Sequence, residues 1–224
     1  MNILRKLIKS NMKYYVLTNS TNLTQIGAYP QTDVSEESEF FSVFSDFQTS
    51  IEEFPTHIPK YIIIINKKAK PTDIIERVSV PYGLVVNDKM KSLIALFSLP
   101  NHKFYNADVI YKKDKLHYYW FHFYDDIFQY IDMEKSKFRM KRRDVVEEFS
   151  FTSKNFFKSK KRETFEDFEK TLKFTEIHLL ETFPKYDLFA FEGKTLISER
   201  LLATLQENNI TGYEVSEYDV LKIE

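Results

Sequence analysis

The sequence predicts an α+β fold, a single domain in which two related strand–helix–strand units pack on a largely antiparallel sheet. Three observations carry that expectation. Continuous β-branched or aromatic runs at residues 61–65 and 116–124 read as strands. Apolar residues spaced three and four apart, such as Met90, Leu93, Ile94 and Phe97, read as helix faces. The third is an internal repeat, in which residues 196–221 match residues 85–110 without a gap at an offset of 111.

In that repeat Val86 stands for Ile197, Asn87 for Ser198, Asp88 for Glu199, Lys89 for Arg200, Met90 for Leu201 and Ile94 for Leu205. Leu99 then stands for Ile210, Phe104 for Val215, Asp108 for Asp219 and Val109 for Val220. Asn87 and Ser198 suit an N-cap, where a side-chain oxygen accepts from the first-turn amides. The acid that follows each complements the positive end of the helix. Pro100-Asn101 and Asn208-Asn209 supply the stops, and residues 104–111 and 213–223 read as half-buried strands.

The remaining elements follow in chain order. Residues 14–18 read as the first strand and 19–24 as a polar loop. Phe40, Phe41, Phe44 and Phe47 form an apolar stripe at helical spacing, with acids on the other face. Residues 61–65, between Pro59 and Asn66, read as the most buried strand. Pro71 and Asp73 precede a short turn or helix. Residues 109–124 read as a hairpin with a tight polar turn at Lys112-Lys113-Asp114-Lys115, and its second arm, from Leu116, is the densest aromatic patch of the chain. A connection at 131–136, a strand at 144–151, a helix at 163–172 and a strand at 186–191 complete the reading.

Composition narrows the function classes. The chain has 224 residues, 43% apolar and 29% charged, enough to bury a substantial core. Its four glycines are scattered and leave no Gly-rich phosphate loop. The absence of Cys removes disulfides, thiol catalysis and Cys-ligated metals, and suits a reducing cytoplasm. Residues 1–12 interleave Arg5, Lys6 and Lys9 with apolar residues, so they read as a flexible basic leader rather than a signal peptide. No run approaches the roughly 18 apolar residues of a membrane span.

Net charge is −1, but it is unevenly spread. Residues 14–59 contain no Lys or Arg, while Glu36, Glu37, Glu39, Asp46, Glu52 and Glu53 are acidic; these are the candidate partner-binding residues. Such a surface suits a basic protein partner, because complementary charge speeds encounter and selects the partner. Residues 135–162 are rich in Lys and Arg with Phe149, Phe151, Phe156 and Phe157 interleaved, the composition of a nucleic-acid groove.

Catalytic signatures are weak. His117 and His122 lie five apart on a strand and point to opposite faces, so they cannot chelate one ion. The pairs Asp125-Asp126 and Glu147-Glu148 read as solvated acids, and no nucleophile elbow is recognisable. No catalytic residue, metal or cofactor is expected.

Several segments carry a family likeness. Lys13-Tyr14-Tyr15-Val16-Leu17, residues 86–91 with Phe104-Tyr105, Tyr118-Tyr119 leading to residues 130–136, and residues 196–201 with 209–212 resemble the eleventh-numbered immunity-protein family of bacterial polymorphic toxin systems. The most specific parts are Ile131-Asp132-Met133-Glu134-Lys135-Ser136 and Ser198-Glu199-Arg200-Leu201 with Ile210-Thr211-Gly212. The resemblance implies a cytoplasmic, non-catalytic protein that binds and neutralises a cognate toxin domain. The alternative is a nucleic-acid-binding accessory protein using residues 135–162.

Overall fold

A computed structural model describes residues 12–38, 51–56, 60, 62–78, 82–150 and 152–223. The whole Phe40–Phe47 stripe, Glu39, Asp46 and residues 1–11 of the leader lie outside the described residues. The chain begins with β1 (Tyr14–Asn19), α1 (Leu23–Ile26), β2 (Thr32–Val34), β3 (Ile62–Ile65) and β4 (Ile74–Ile75). Then come β5 (Leu84–Asn87), α2 (Asp88–Ile94), β6 (Asn101–Tyr111) and β7 (Asp114–Tyr124), followed by a 3-10 turn at Ile127–Tyr130. After it lie β8 (Lys137–Arg142), β9 (Val145–Ser150), α3 (Lys154–Glu166) and β10 (Lys170–Leu179). The last are β11 (Leu188–Phe191), β12 (Lys194–Ser198), α4 (Glu199–Glu207), β13 (Tyr213–Glu217) and β14 (Leu221–Ile223).

The fold is α+β, with antiparallel pairing throughout the registered strand pairs except β3 with β6 and β10 with β14. The described residues form two compact units. The larger comprises Tyr15–Asp126 and Lys185–Glu217; the smaller is built on Ile127–Pro184 and takes in Tyr218 onward.

The larger unit holds both copies of the repeat. One sheet runs β2-β3-β6-β7-β5-β4 and the other β11-β12-β1-β13. Aligning the copies superposes the order β4-β5-β7-β6 on β11-β12-β1-β13, so β1 takes in the second sheet the place that β7 takes in the first. Each copy therefore has a strand hairpin, a cap, a helix and a return strand, with one further strand between the second and the last. The aligned apolar positions Val86 and Ile197, Met90 and Leu201, Ile94 and Leu205 are all buried in one cluster, joined by Phe121 and Phe123 of β7. The opposite face of the six-stranded sheet buries Ile63, Ile65, Val85, Tyr118 and Trp120. β7, flanked by β5 and β6, is thus buried on both faces, and its aromatic patch is core.

The smaller unit has the sheet order β14-β10-β8-β9. Alternation along β8 turns Phe138 and Met140 inward, and Phe138 packs with Phe157 of α3 and with Phe149.

Several boundaries differ from the sequence expectation. The helix expected at 163–172 is α3, earlier in the chain, because Ser153 caps it by accepting from Phe156 N at 3.0 Å. Residues 170–172 instead open β10. The loop at 19–24 ends in α1, capped by Asn22. Asp73 leads into β4 rather than a helix, and the long strand expected at 213–223 divides into β13 and β14. In β3, Ile64 is 37% exposed, so β3 is not the most fully buried strand; β4 and β5 have no exposed residue.

Candidate functional site

The candidate acidic residues fall on the six-stranded sheet of the larger unit. Glu36 and Glu37 form an exposed turn after β2, the edge strand. Ser35 N donates to Ile62 O at 3.0 Å, and Ser38 Oγ donates to the same oxygen while accepting from Ile62 N, which pins the turn to the end of β3. Glu37 lies 3.6 Å from Lys60, both well exposed.

Glu52 and Glu53, also exposed, belong to a segment laid over the Tyr105, Trp120 and His122 face of the sheet. Tyr105 Oη donates to Pro55 O at 2.9 Å, His122 Nε2 lies 2.9 Å from Ile51 O, and the Phe54 and His122 rings are 4.5 Å apart. Burial, followed by a hydrogen bond to Glu52, pushes the Tyr124 hydroxyl well above its ordinary pKa. Ile62 pairs with Asp108 on β6, whereas Tyr124, bonded to Glu52, pairs with Asn101 seven residues back, so the two acid pairs are anchored toward opposite ends of β6, roughly 20 Å apart. Glu36, Glu37, Glu52 and Glu53 thus share one sheet as two separate pairs, while Glu39 and Asp46 lie outside the described residues. Exposed carboxylates so arranged can steer and dock a cationic protein surface.

The basic segment sorts differently from its composition. Phe149, Phe156 and Phe157, the rings expected to stack on bases, pack against Phe138 in the core of the smaller unit. Phe151 lies outside the described residues. Several bases are neutralised: Arg142 pairs with Asp167 at 2.8 Å, Arg143 with Glu169 at 2.7 Å, and Lys160 with Glu163 at 2.9 Å.

His117 and His122 do occupy opposite faces of β7. The first is exposed and its Nδ1 lies 3.0 Å from Asp88, which also accepts from Tyr119 Oη at 2.8 Å. These bonds, from His117 first and Tyr119 next, hold the Asp88 carboxyl below its ordinary range. The second is buried and stacked on Trp120, and desolvation lowers its pKa. Among the described residues no group of three or more His, Cys, Asp or Glu is placed to hold a metal ion. No helix of the described residues is long and apolar enough to cross a membrane.

One constellation was missed in the sequence. Asp73 Oδ1 accepts from the Asn87 cap at 2.9 Å, and Asp187 Oδ1 accepts from the Ser198 cap at 2.6 Å. The base two positions beyond each cap completes the set: Lys89 lies 3.8 Å from Asp73, and Arg200 is hydrogen-bonded to Asp187. Each Asp also receives a donor from the loop after the other copy's helix, Thr211 for Asp73 and Ser98 for Asp187, both at 2.9 Å. The sequence signal is an Asp opening the hairpin before each cap. These carboxylates tie each helix N-terminus to the loop that follows the other copy's helix.

Neither a scan against protein-family models nor a search of curated proteins finds a match to the chain.

Proposed function

We propose that the protein is a non-catalytic immunity protein that binds and neutralises a cognate toxin domain in the bacterial cytoplasm. The sequence resemblance to the immunity family supports the class. The observation that supports the binding mode is the placing of Glu36, Glu37, Glu52 and Glu53, all exposed, on one sheet and within residues 14–59, which carry no Lys or Arg. The partner is then a basic toxin domain, held through an interface of about 1,600 Å² in total.

The test is co-purification with the C-terminal domain of the neighbouring gene's product, and restoration of growth on co-expression. Charge reversal of Glu36, Glu37, Glu52 and Glu53 to Lys should slow association at least about 10-fold at low salt. Its thermal midpoint should stay at the wild-type value. Failure of every neighbouring product to bind would remove the immunity reading; binding that survives the reversal unchanged would remove this surface.

A further inference from the structure

Four unpaired bases of the smaller unit collect on one open sheet face. Along β8, Phe138 and Met140 turn toward α3, while Lys137, Arg139 and Lys141 alternate to the other side and are exposed. Register places Lys173 of β10 directly opposite Arg139, and Thr171 opposite Lys141. On the other flank, β9 contributes Ser150, Glu148 and Val146 to the same face. All of these side chains are exposed, whereas α3 covers only the opposite face.

The bases on this face outnumber its acids. Lys137, Arg139, Lys141 and Lys173 make no ion pair among the described residues, in contrast to Arg142, Arg143 and Lys160. Two acids share the face. Glu148 stands opposite Arg139 without reaching ion-pair distance, and Glu176, opposite Lys137, is bonded to His178 at 2.8 Å. Like charges directly opposite on neighbouring strands destabilise a sheet, and Arg139 with Lys173 is such a pair. An anionic ligand bridging them removes that repulsion.

We infer that this face binds an extended single strand of nucleic acid through its phosphates. Lys137, Arg139 and Lys141 repeat every second residue, about 6.7 Å apart, a spacing comparable with that of successive phosphates on an extended strand. Among the described residues no Phe, Tyr or Trp of β8, β9 or β10 alternates onto the face, so recognition runs through the backbone and is indifferent to sequence, unlike sites built on base stacking. Among the described residues of β8, β9 and β10, Val146 is the one large apolar side chain on the face, too little for insertion into a lipid surface. The inference does not rest on the immunity reading.

The experiment is a fluorescence-anisotropy titration of labelled oligo-dT and oligo-U with the full chain, from 50 to 200 mM salt. Four phosphate contacts give a slope of log K on log salt of about −2.8, which is about 50-fold weaker binding across that range. Changing Lys137, Arg139, Lys141 and Lys173 to Gln should abolish binding. The single Lys141→Gln should reduce the slope by about 0.7, a readout that misfolding does not mimic. Lys158→Gln with Arg162→Gln, on α3, should leave affinity within twofold. Absence of binding at 50 mM salt, equal affinity in the fourfold variant, loss in the α3 variant, or poly-glutamate binding as tightly as the oligonucleotides would each overturn the inference.

Discussion

At the N-terminus of α4, the Asp187 side chain has no exposure and accepts from Ser198 Oγ, Arg200 and Ser98 N. Removing it leaves a buried hydroxyl and a guanidinium without their acceptor. Asp187→Ala should therefore cost about 3 kcal/mol, since breaking one side of a buried charged network strands the other. Ser198→Ala and Asn87→Ala should each cost about 1 kcal/mol, the ordinary value of an N-cap. Urea unfolding at neutral pH orders these variants, and a cap variant as damaging as Asp187→Ala would contradict the account. The same carboxylate sets a pH dependence. Burial opposes its ionisation, but the bonds from Arg200, Ser198 and Ser98 outweigh this and hold its pKa below the ordinary range. A depressed carboxylate stabilises the fold above its unfolded pKa of about 3.9 and loses that contribution as pH falls through the folded value. Wild type should thus lose stability in that acid window, and Asp187→Asn should show a flatter profile there. Parallel acid profiles for the two proteins would rule the carboxylate out as a source of acid sensitivity.

At the scale of elements, the join between α4 and β13 is the tightest. Gly212 has φ +91°, and a Cβ there would lie 1.8 Å from Ile74 O and 2.5 Å from Thr72 Oγ1. Gly193, in the turn between β11 and β12, has φ +73° with nothing within 4 Å. Gly193→Ala should cost about 1 kcal/mol for the left-handed backbone alone. Gly212→Ala adds a backbone clash and should cost about 4 kcal/mol or more. Equal losses in urea unfolding would show that the close approach does not matter. This contrast also marks what the sequence could express. Caps, first-turn acids and apolar spacing are local, so both strand–helix–strand units and the β6–β7 hairpin were legible from residues a few positions apart. The partners of Asp73 lie as far as 138 residues away at Thr211, and Thr18 of β1 pairs with Glu214 of β13. No local pattern encodes such pairings. The expected 163–172 helix failed for a different reason: Phe165 and Phe168 have helical spacing but are 69% and 93% exposed, so their periodicity reports no buried face.

Over the whole molecule, the candidate acidic surface was legible as a charge imbalance, because exposed carboxylates need no precise partner to act. The basic segment was legible only as composition. The period-two alternation of Lys137, Arg139 and Lys141 decides which side chains face water, while Lys173, more than thirty residues on, joins them only through strand register. The two units also differ in how much apolar surface secures them. Sixteen buried side chains meet in the main cluster of the larger unit, whereas β8 and β9 of the smaller one bury only Phe138 and Met140. Local opening free energies follow such burial. Amides of β8 and β9 should therefore exchange with deuterium before those of β5, β7 and α2, by at least about tenfold, which corresponds to about 1.4 kcal/mol. Added oligonucleotide should slow exchange in β8 and β10 and leave β5 and β7 unchanged. Uniform protection across both units without ligand would mean that the chain opens as one cooperative body and that burial within each unit does not set its stability.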